Sequence, residues 1–260
     1  MKFTKLYYLF RKVEKQIGES TMDELDWNEF APEYYQNQLE SRTTIVEDVI
    51  AFLKSKKVLP ASDLIDVAGG AGRYLPMAKE VGSYKLFDFS TEMLRFAQQE
   101  ANKLGVKNVQ MMKQSFEDFL ENKESAEVIF TAANPALDNT KKLEQMLKKM
   151  NQACVILRVV HSRDDLFIPL EERLGIFEED PTVSPDLMDL FETFLTQNDY
   201  SYQKQDFTYV LKEEITRSLM EDYYEEYKED QRLTDFLDQH FLQDEQISTT
   251  RLTYRLLLIQ

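Results

Sequence analysis

The apolar positions of this chain change period several times, and each change marks an element. Over residues 44–59, Ile45, Val49, Phe52 and Leu53 recur at helical spacing and form one stripe of an amphipathic helix. Asp63-Leu64-Ile65-Asp66-Val67 then reads as a short buried strand that runs straight into Ala68-Gly69-Gly70-Ala71-Gly72. A helix is predicted from about Arg73, with Pro76 tolerated in its first turn, where a missing N–H costs nothing. Tyr84-Lys85-Leu86-Phe87-Asp88 is the second strand. Ser90 caps the next helix, whose Met93, Ala97, Ala101 and Leu104 share a face. Residues 106–112 and 127–132 supply strands three and four. Thr140 opens a helix with Leu143, Met146, Leu147 and Met150 inward, and residues 153–160, apolar except for Arg158, form strand five.

Strands that alternate with helices in this way build βαβ units. Right-handed crossovers then force a parallel sheet with helices on both faces. After His161 the rhythm breaks. Ser184-Pro185 starts a helix with Leu187, Leu190, Phe191 and Phe194 inward. Residues 200–211 read as a strand, 213–242 as two acidic helices, and 248–259 as a final alternating strand.

Composition narrows the function. Lys and Arg number 31 against 47 Asp and Glu, a net charge of −16. Such a surface repels phosphate backbones, and no basic patch offsets it, so nucleic acid is not expected as a partner. The acidic run Glu221-Asp222-Tyr223-Tyr224-Glu225-Glu226 reads as a solvated helix face. No apolar run reaches the roughly 18 residues of a membrane span, so no membrane partner is expected. The opening MKFTKLYYLFRKVEKQ has charges interrupting its apolar patch and reads as an amphipathic helix rather than a signal peptide. The single Cys154 excludes an intramolecular disulfide and suits a cytoplasmic location. His161, His240 and Cys154 are too scattered for a metal site, and none is expected.

The chemistry concentrates at Asp66–Gly72. Glycines between a strand and a helix allow a tight turn and let a ligand approach main-chain N–H groups. The following strand ends in Asp88, a carboxylate that can accept both hydroxyls of a ribose. A dinucleotide is the competing ligand, but its G-x-G-x-x-G fingerprint fails, because the third position is Leu75. Asp66 would also repel a pyrophosphate, whereas it favours a ligand that carries an ammonium and a sulfonium. S-adenosylmethionine meets that description.

Residues 61–160 resemble the class I S-adenosylmethionine-dependent methyltransferase family, with LIDVAGGAGR as the first motif and LFDFSTEMLRFAQQEA as the second. The resemblance implies an α/β, Rossmann-like doubly wound sheet, mostly parallel, with an antiparallel C-terminal strand and helical insertions. It implies one domain over 1–260: an N-terminal helical lid (1–60), a cofactor-binding core (61–160), a mostly helical acceptor-side elaboration (161–247) and a final strand (248–260). Asp66, Ala68, Gly69, Gly70, Gly72 and Arg73 would hold the methionine part, Asp88 the ribose, and Phe89 and Met93 the adenine. Two departures stand out. Ala68 replaces the family's usual Gly, and Ser115 takes the place of the third-motif Asp, with Ser115 and Phe116 expected among the cofactor contacts.

Three further segments carry candidates. Ala132-Ala133-Asn134-Pro135 closes strand four, where ligands of open α/β sheets bind, so Ala132 is a cofactor contact and Asn134 a catalytic candidate. Trp27 and Tyr34 lie in a segment resembling the aromatic lid of small-molecule members, so both are expected cofactor contacts and Tyr34 is also a catalytic candidate. His161 follows strand five and could accept a proton from an acceptor group. Methyl transfer to a small molecule is the expected activity. A non-catalytic S-adenosylmethionine-binding protein of the same fold is the alternative.

Overall fold

The computed structural model describes residues 23–180 and 182–260. The amphipathic helix expected in MKFTKLYYLFRKVEKQ lies outside the described residues. Strands β1 (Ala61–Val67), β2 (Val81–Asp88), β3 (Val109–Lys113), β4 (Ala126–Ala132), β5 (Met150–Asp164), β6 (Tyr202–Thr216) and β7 (Glu245–Ile259) make one sheet. Their order is β3-β2-β1-β4-β5-β7-β6. Strands β1 to β5 pair in parallel, and β7 alone runs against its neighbours β5 and β6. This is the mostly parallel, doubly wound sheet with an antiparallel last strand that the pattern implied. The order reverses between β1 and β4, which opens a crevice at their C-terminal ends.

The helices are α1 (Glu24–Glu40), α2 (Ile45–Ser55), α3 (Thr91–Leu104), α4 (Phe116–Glu121), α5 (Thr140–Leu147), α6 (Phe167–Leu174), α7 (Pro185–Gln197), α8 (Arg217–Tyr223) and α9 (Gln231–His240). Period-two alternation sends the strand residues into two cores. Leu64, Tyr84, Leu86, Val155 and Leu256 meet Ile45, Val49 and Leu53 of α2 on one face. Ile65, Phe87, Ile129, Ile156 and Leu257 meet Leu143 of α5 and Phe191 of α7 on the other. A third cluster gathers α6, α8 and α9 around Ile215 at the far end of β6. A fourth packs Phe30, Ala31 and Tyr35 of α1 on Met93 and Phe96 of α3.

Several boundaries differ from the expected ones. No α-helix starts at Arg73; turns lead instead into a 3-10 segment, Leu75–Glu80. Gly72, at φ +81°, breaks the helical path, and only a few residues separate it from β2. Strand β3 starts at Val109, because Gly105 ends α3 in the left-handed region. Asn108 then spends its side chain on the carbonyls of Ala78 and Val81, each at 2.8 Å. Met150 begins β5 rather than ending α5. Strand β5 continues to Asp164, so His161 lies within it, held there by pairing that extends to Thr250 of β7. Helix α6 was not anticipated, and β6 and β7 are each longer than their apolar alternation indicated.

Candidate active site

The loop after β1 is built to bring main chain close to the crevice. Ala68 and Gly70 both take φ of +55°, and the Gly69 N–H donates to the Phe87 carbonyl at 3.0 Å. A Cβ on Gly69 would lie 2.5 Å from Leu86 Cγ and 2.8 Å from Asp66 Oδ2, so no other residue fits. Ala68 adopts the left-handed conformation that explains why glycine is usual there.

Two buried carboxylates flank this loop. Asp66, 1% exposed, accepts a 2.6 Å hydrogen bond from the Tyr84 hydroxyl. Burial pushes its carboxyl up to about 7; the Tyr84 bond opposes that rise and nearby Asp88 adds to it. Asp88 accepts from the Gly70 N–H and the Ser90 N–H, each at 2.9 Å. Burial lifts it to about 6, against the lowering effect of backbone N–H groups from Ser90, Gly70 and Phe89. Among the described residues, no cation forms an ion pair with either acid.

A cleft of about 50 Å³ lies above Asp66, Ala68 and Gly69. Tyr34 of α1, Arg73 and Tyr74 wall one side; Ala132 and Ala133 wall the end of β4. Strand β5 contributes Leu157, Arg158 and Val159, and β7 contributes Tyr254. The Arg73 guanidinium lies among the phenols of Tyr254, Tyr34 and Tyr74, with Tyr254 hydrogen-bonded to it. Its Nε is buried and has no partner. Burial dominates at Tyr34 and holds its phenol above the usual range, so it stays protonated.

The structure therefore brings Asp66, Ala68, Gly69, Arg73, Ala132 and Tyr34 together, with Gly70 under the Tyr34 ring. Gly72 sits beneath Leu75 and Ala97. Met93 and Trp27 belong to the aromatic cluster between α1 and α3, and Phe89 lies half-buried between Asp88 and Ser90. Ser115 uses its hydroxyl to cap α4, accepting from the Asp118 N–H at 3.0 Å, and Phe116 packs in the core. Asn134 is buried outside the cleft lining. Its Oδ1 accepts from the Ala136 N–H, its Nδ2 has no partner, and its carbonyl accepts from Arg158. His161 is exposed and does not line the cleft. Sequence reasoning missed Tyr74, Arg158 and Tyr254. Tyr254 reaches the cleft because antiparallel register sets it opposite Val159, a pairing that no local pattern encodes.

The methyltransferase domain family model matches residues 60–214, more than half of the chain. The chain belongs to the class I S-adenosylmethionine-dependent methyltransferase family. The enzyme is thus a methyltransferase, and S-adenosylmethionine is its cofactor. Among solved structures, the YcgJ protein of Bacillus subtilis shares 14% identity over 82% of this chain and 98% of its own, with a TM-score of 0.53. That likeness confirms the fold of the methyltransferase. A magnesium protoporphyrin IX methyltransferase from Synechocystis PCC 6803, with bound S-adenosylhomocysteine, aligns at 14% identity over 95% of this chain and 93% of that one, at a TM-score of 0.49. A phosphoethanolamine N-methyltransferase from Haemonchus contortus aligns at 11% identity over 92% of this chain and 60% of that one, also at 0.49. No curated protein matches the sequence.

Proposed function

We propose that this methyltransferase acts on a small, partly apolar acceptor held at the aromatic end of the cleft. The observation that carries the reading is a cleft walled by Leu157, Val159 and the rings of Tyr34, Tyr74 and Tyr254, set over the buried, cation-free carboxylate of Asp66 beside the Gly69 turn. A buried carboxylate held near neutrality calls for a cationic ligand group, and an ammonium supplies it. The unpartnered Arg73 Nε suits the carboxylate of the same amino-acid end. Asp88 would take the ribose hydroxyls, with Phe89 and Met93 against the adenine.

When bound, the cofactor supplies an electrophilic methyl group on sulfur. The residues of this chain have the tasks of binding, orienting and excluding water. Leu157, Val159 and the rings of Tyr34, Tyr74 and Tyr254 offer an acceptor apolar walls with phenol donors at the edge. The net charge of −16 favours a small molecule over a nucleic acid as acceptor. Asp66→Asn should reduce S-adenosylhomocysteine affinity by calorimetry about tenfold or more, since bonds to charged groups are the strong ones. Unchanged affinity would remove Asp66 from the site. Radiolabelled methyl transfer into fractionated small-molecule and macromolecular extract tests the acceptor class.

A further inference from the structure

Asn28 ties helix α1 to the start of α3, beside an exposed Thr91–Glu24 contact and the buried packing of Phe30, Ala31 and Tyr35 on Met93 and Phe96. Asn28 Oδ1 accepts from Ser90 Oγ at 2.8 Å and from the Glu92 N–H at 3.0 Å. Ser90 in turn accepts from the Met93 N–H at 3.1 Å and donates its own N–H to Asp88. The first N–H groups of a helix lack intrahelical partners. Ser90 satisfies one of them in α3, and Asn28 reaches across from α1 to satisfy another. A continuous chain of hydrogen bonds thus runs from α1 to the Asp88 carboxylate.

The same helix covers the site. Tyr34 lies over Gly70, its Cε1 3.5 Å from where a Cβ would stand, and Asp88 is 7% exposed. The cleft of about 50 Å³ falls well short of the roughly 300–1,000 Å³ of small-molecule pockets. Tyr34 of α1 lines this cleft and lies over Gly70, whose N–H donates to Asp88, so movement of α1 would open the way to that carboxylate. Pro32 within α1 has no N–H to give the Asn28 carbonyl, so the helix is weakest between Asn28 and Tyr34. Among the described residues, the other polar ties at that end, Glu24 to Lys113 at 2.7 Å and Thr91 to Glu24 at 3.2 Å, are solvent-exposed and weak. Lifting α1 hands the Glu92 N–H to water, so the contact can break and re-form.

We propose that Asn28 is the latch of this gate: it sets how fast S-adenosylmethionine and its product enter and leave, and it positions Ser90 against Asp88. The proposal rests on the reading that Asp88 takes the ribose. Trp27, the one tryptophan of the chain, adjoins the latch and reports on it. Stopped-flow fluorescence with S-adenosylhomocysteine gives both exchange rates, and calorimetry gives the affinity. For Asn28→Ala, association and dissociation should each quicken on the order of tenfold, as loss of two hydrogen bonds from the closed state requires. Affinity should change less than either rate. Asn28→Asp keeps both acceptor contacts and should restore slow exchange. Asn28→Thr, with a shorter acceptor, should fall between and replaces the alanine variant if that variant does not fold. Rates of Asn28→Ala equal to wild type, or a loss of affinity through slower association alone, would overturn the latch. Asp88→Ala separates the two readings: if it leaves affinity unchanged, the ribose assignment fails, whatever Asn28 does.

Discussion

The Tyr84 hydroxyl donates to Asp66 across adjacent strands, at 2.6 Å and in full burial, and it is the one side-chain donor Asp66 has among the described residues. A carboxylate so placed couples folding to pH. With its carboxyl raised to about 7, and Asp88 raised to about 6, the folded enzyme holds protons that the unfolded chain releases nearer pH 4. The stability these groups contribute is full at acid pH and is lost as pH rises towards 7. The melting temperature of the ligand-free enzyme should therefore fall from pH 5 to pH 7 and level off above 8. An ammonium beside Asp66 reverses the effect, so the shift produced by S-adenosylhomocysteine should be larger at pH 8 than at pH 5.5. Thermal scans across pH with Asp66→Asn as control test this; an equal pH slope in the variant would contradict it.

Ala68 stores backbone strain that glycine would relieve. At φ +55° an L-residue pays about 1–2 kcal/mol, partly offset in glycine by the greater entropy of its unfolded state. Ala68→Gly is expected to leave the melting temperature unchanged or to raise it by about 1–3 °C. A clear fall would show that the Ala68 methyl makes a packing contact worth more than the strain.

Arg158 holds the turn after β4 from beneath. It donates to the carbonyls of Asn134 and Leu137, the latter at 2.8 Å, and to Ser184 Oγ at 3.2 Å. Burial brings its guanidinium down to about 10, still charged at neutral pH. Arg158→Met takes the Arg158 donor from the Leu137 carbonyl and leaves the Asn134 carbonyl with the Leu137 N–H at 3.3 Å, and should cost roughly 1–3 kcal/mol in urea unfolding. Methyl transfer should drop further than cofactor affinity, because the turn borders the end of the cleft proposed for the acceptor. Equal losses in both would place the turn outside acceptor binding.

Tyr34 and Tyr254 offer phenols to the same cleft from opposite ends of the chain. Replacing either with Phe should slow methyl transfer roughly tenfold, the worth of one well-placed hydrogen bond. Calorimetric affinity for S-adenosylhomocysteine should move by less than about twofold. A variant that loses affinity and rate together would reassign that phenol to the cofactor.

The alternation of strands and helices from Ile45 to Val160 made the parallel sheet legible, because each apolar stripe there answers to local periodicity. Ser90 as a cap and Asp66 and Asp88 at strand ends were readable for the same reason. The span of β5 to Asp164 was not, since its outer half is exposed and polar and persists only through pairing with β7. Tyr254 was invisible for a related reason. Its place depends on register with Val159, nearly a hundred residues earlier, and its alternation marks only a face. His161 looked favourable as a residue just past a strand; its position inside the longer β5 turns it to solvent. Asn28 carried no signal at all, because an acceptor that caps another helix leaves no trace in its own neighbours.

Strand β7 behaves as a beam with two supports. Leu256 to Ile259 are clamped in the sheet interior, while its first residues are bonded to the stretch of β6 that carries Ile215 into the outlying helical cluster. Tyr254 stands on the span between them. Phe236 and Met220 pack in the cluster that holds the outer of these two supports. A substitution at Phe236 is therefore expected to alter the cleft through the load path of one strand, without touching any residue that lines it.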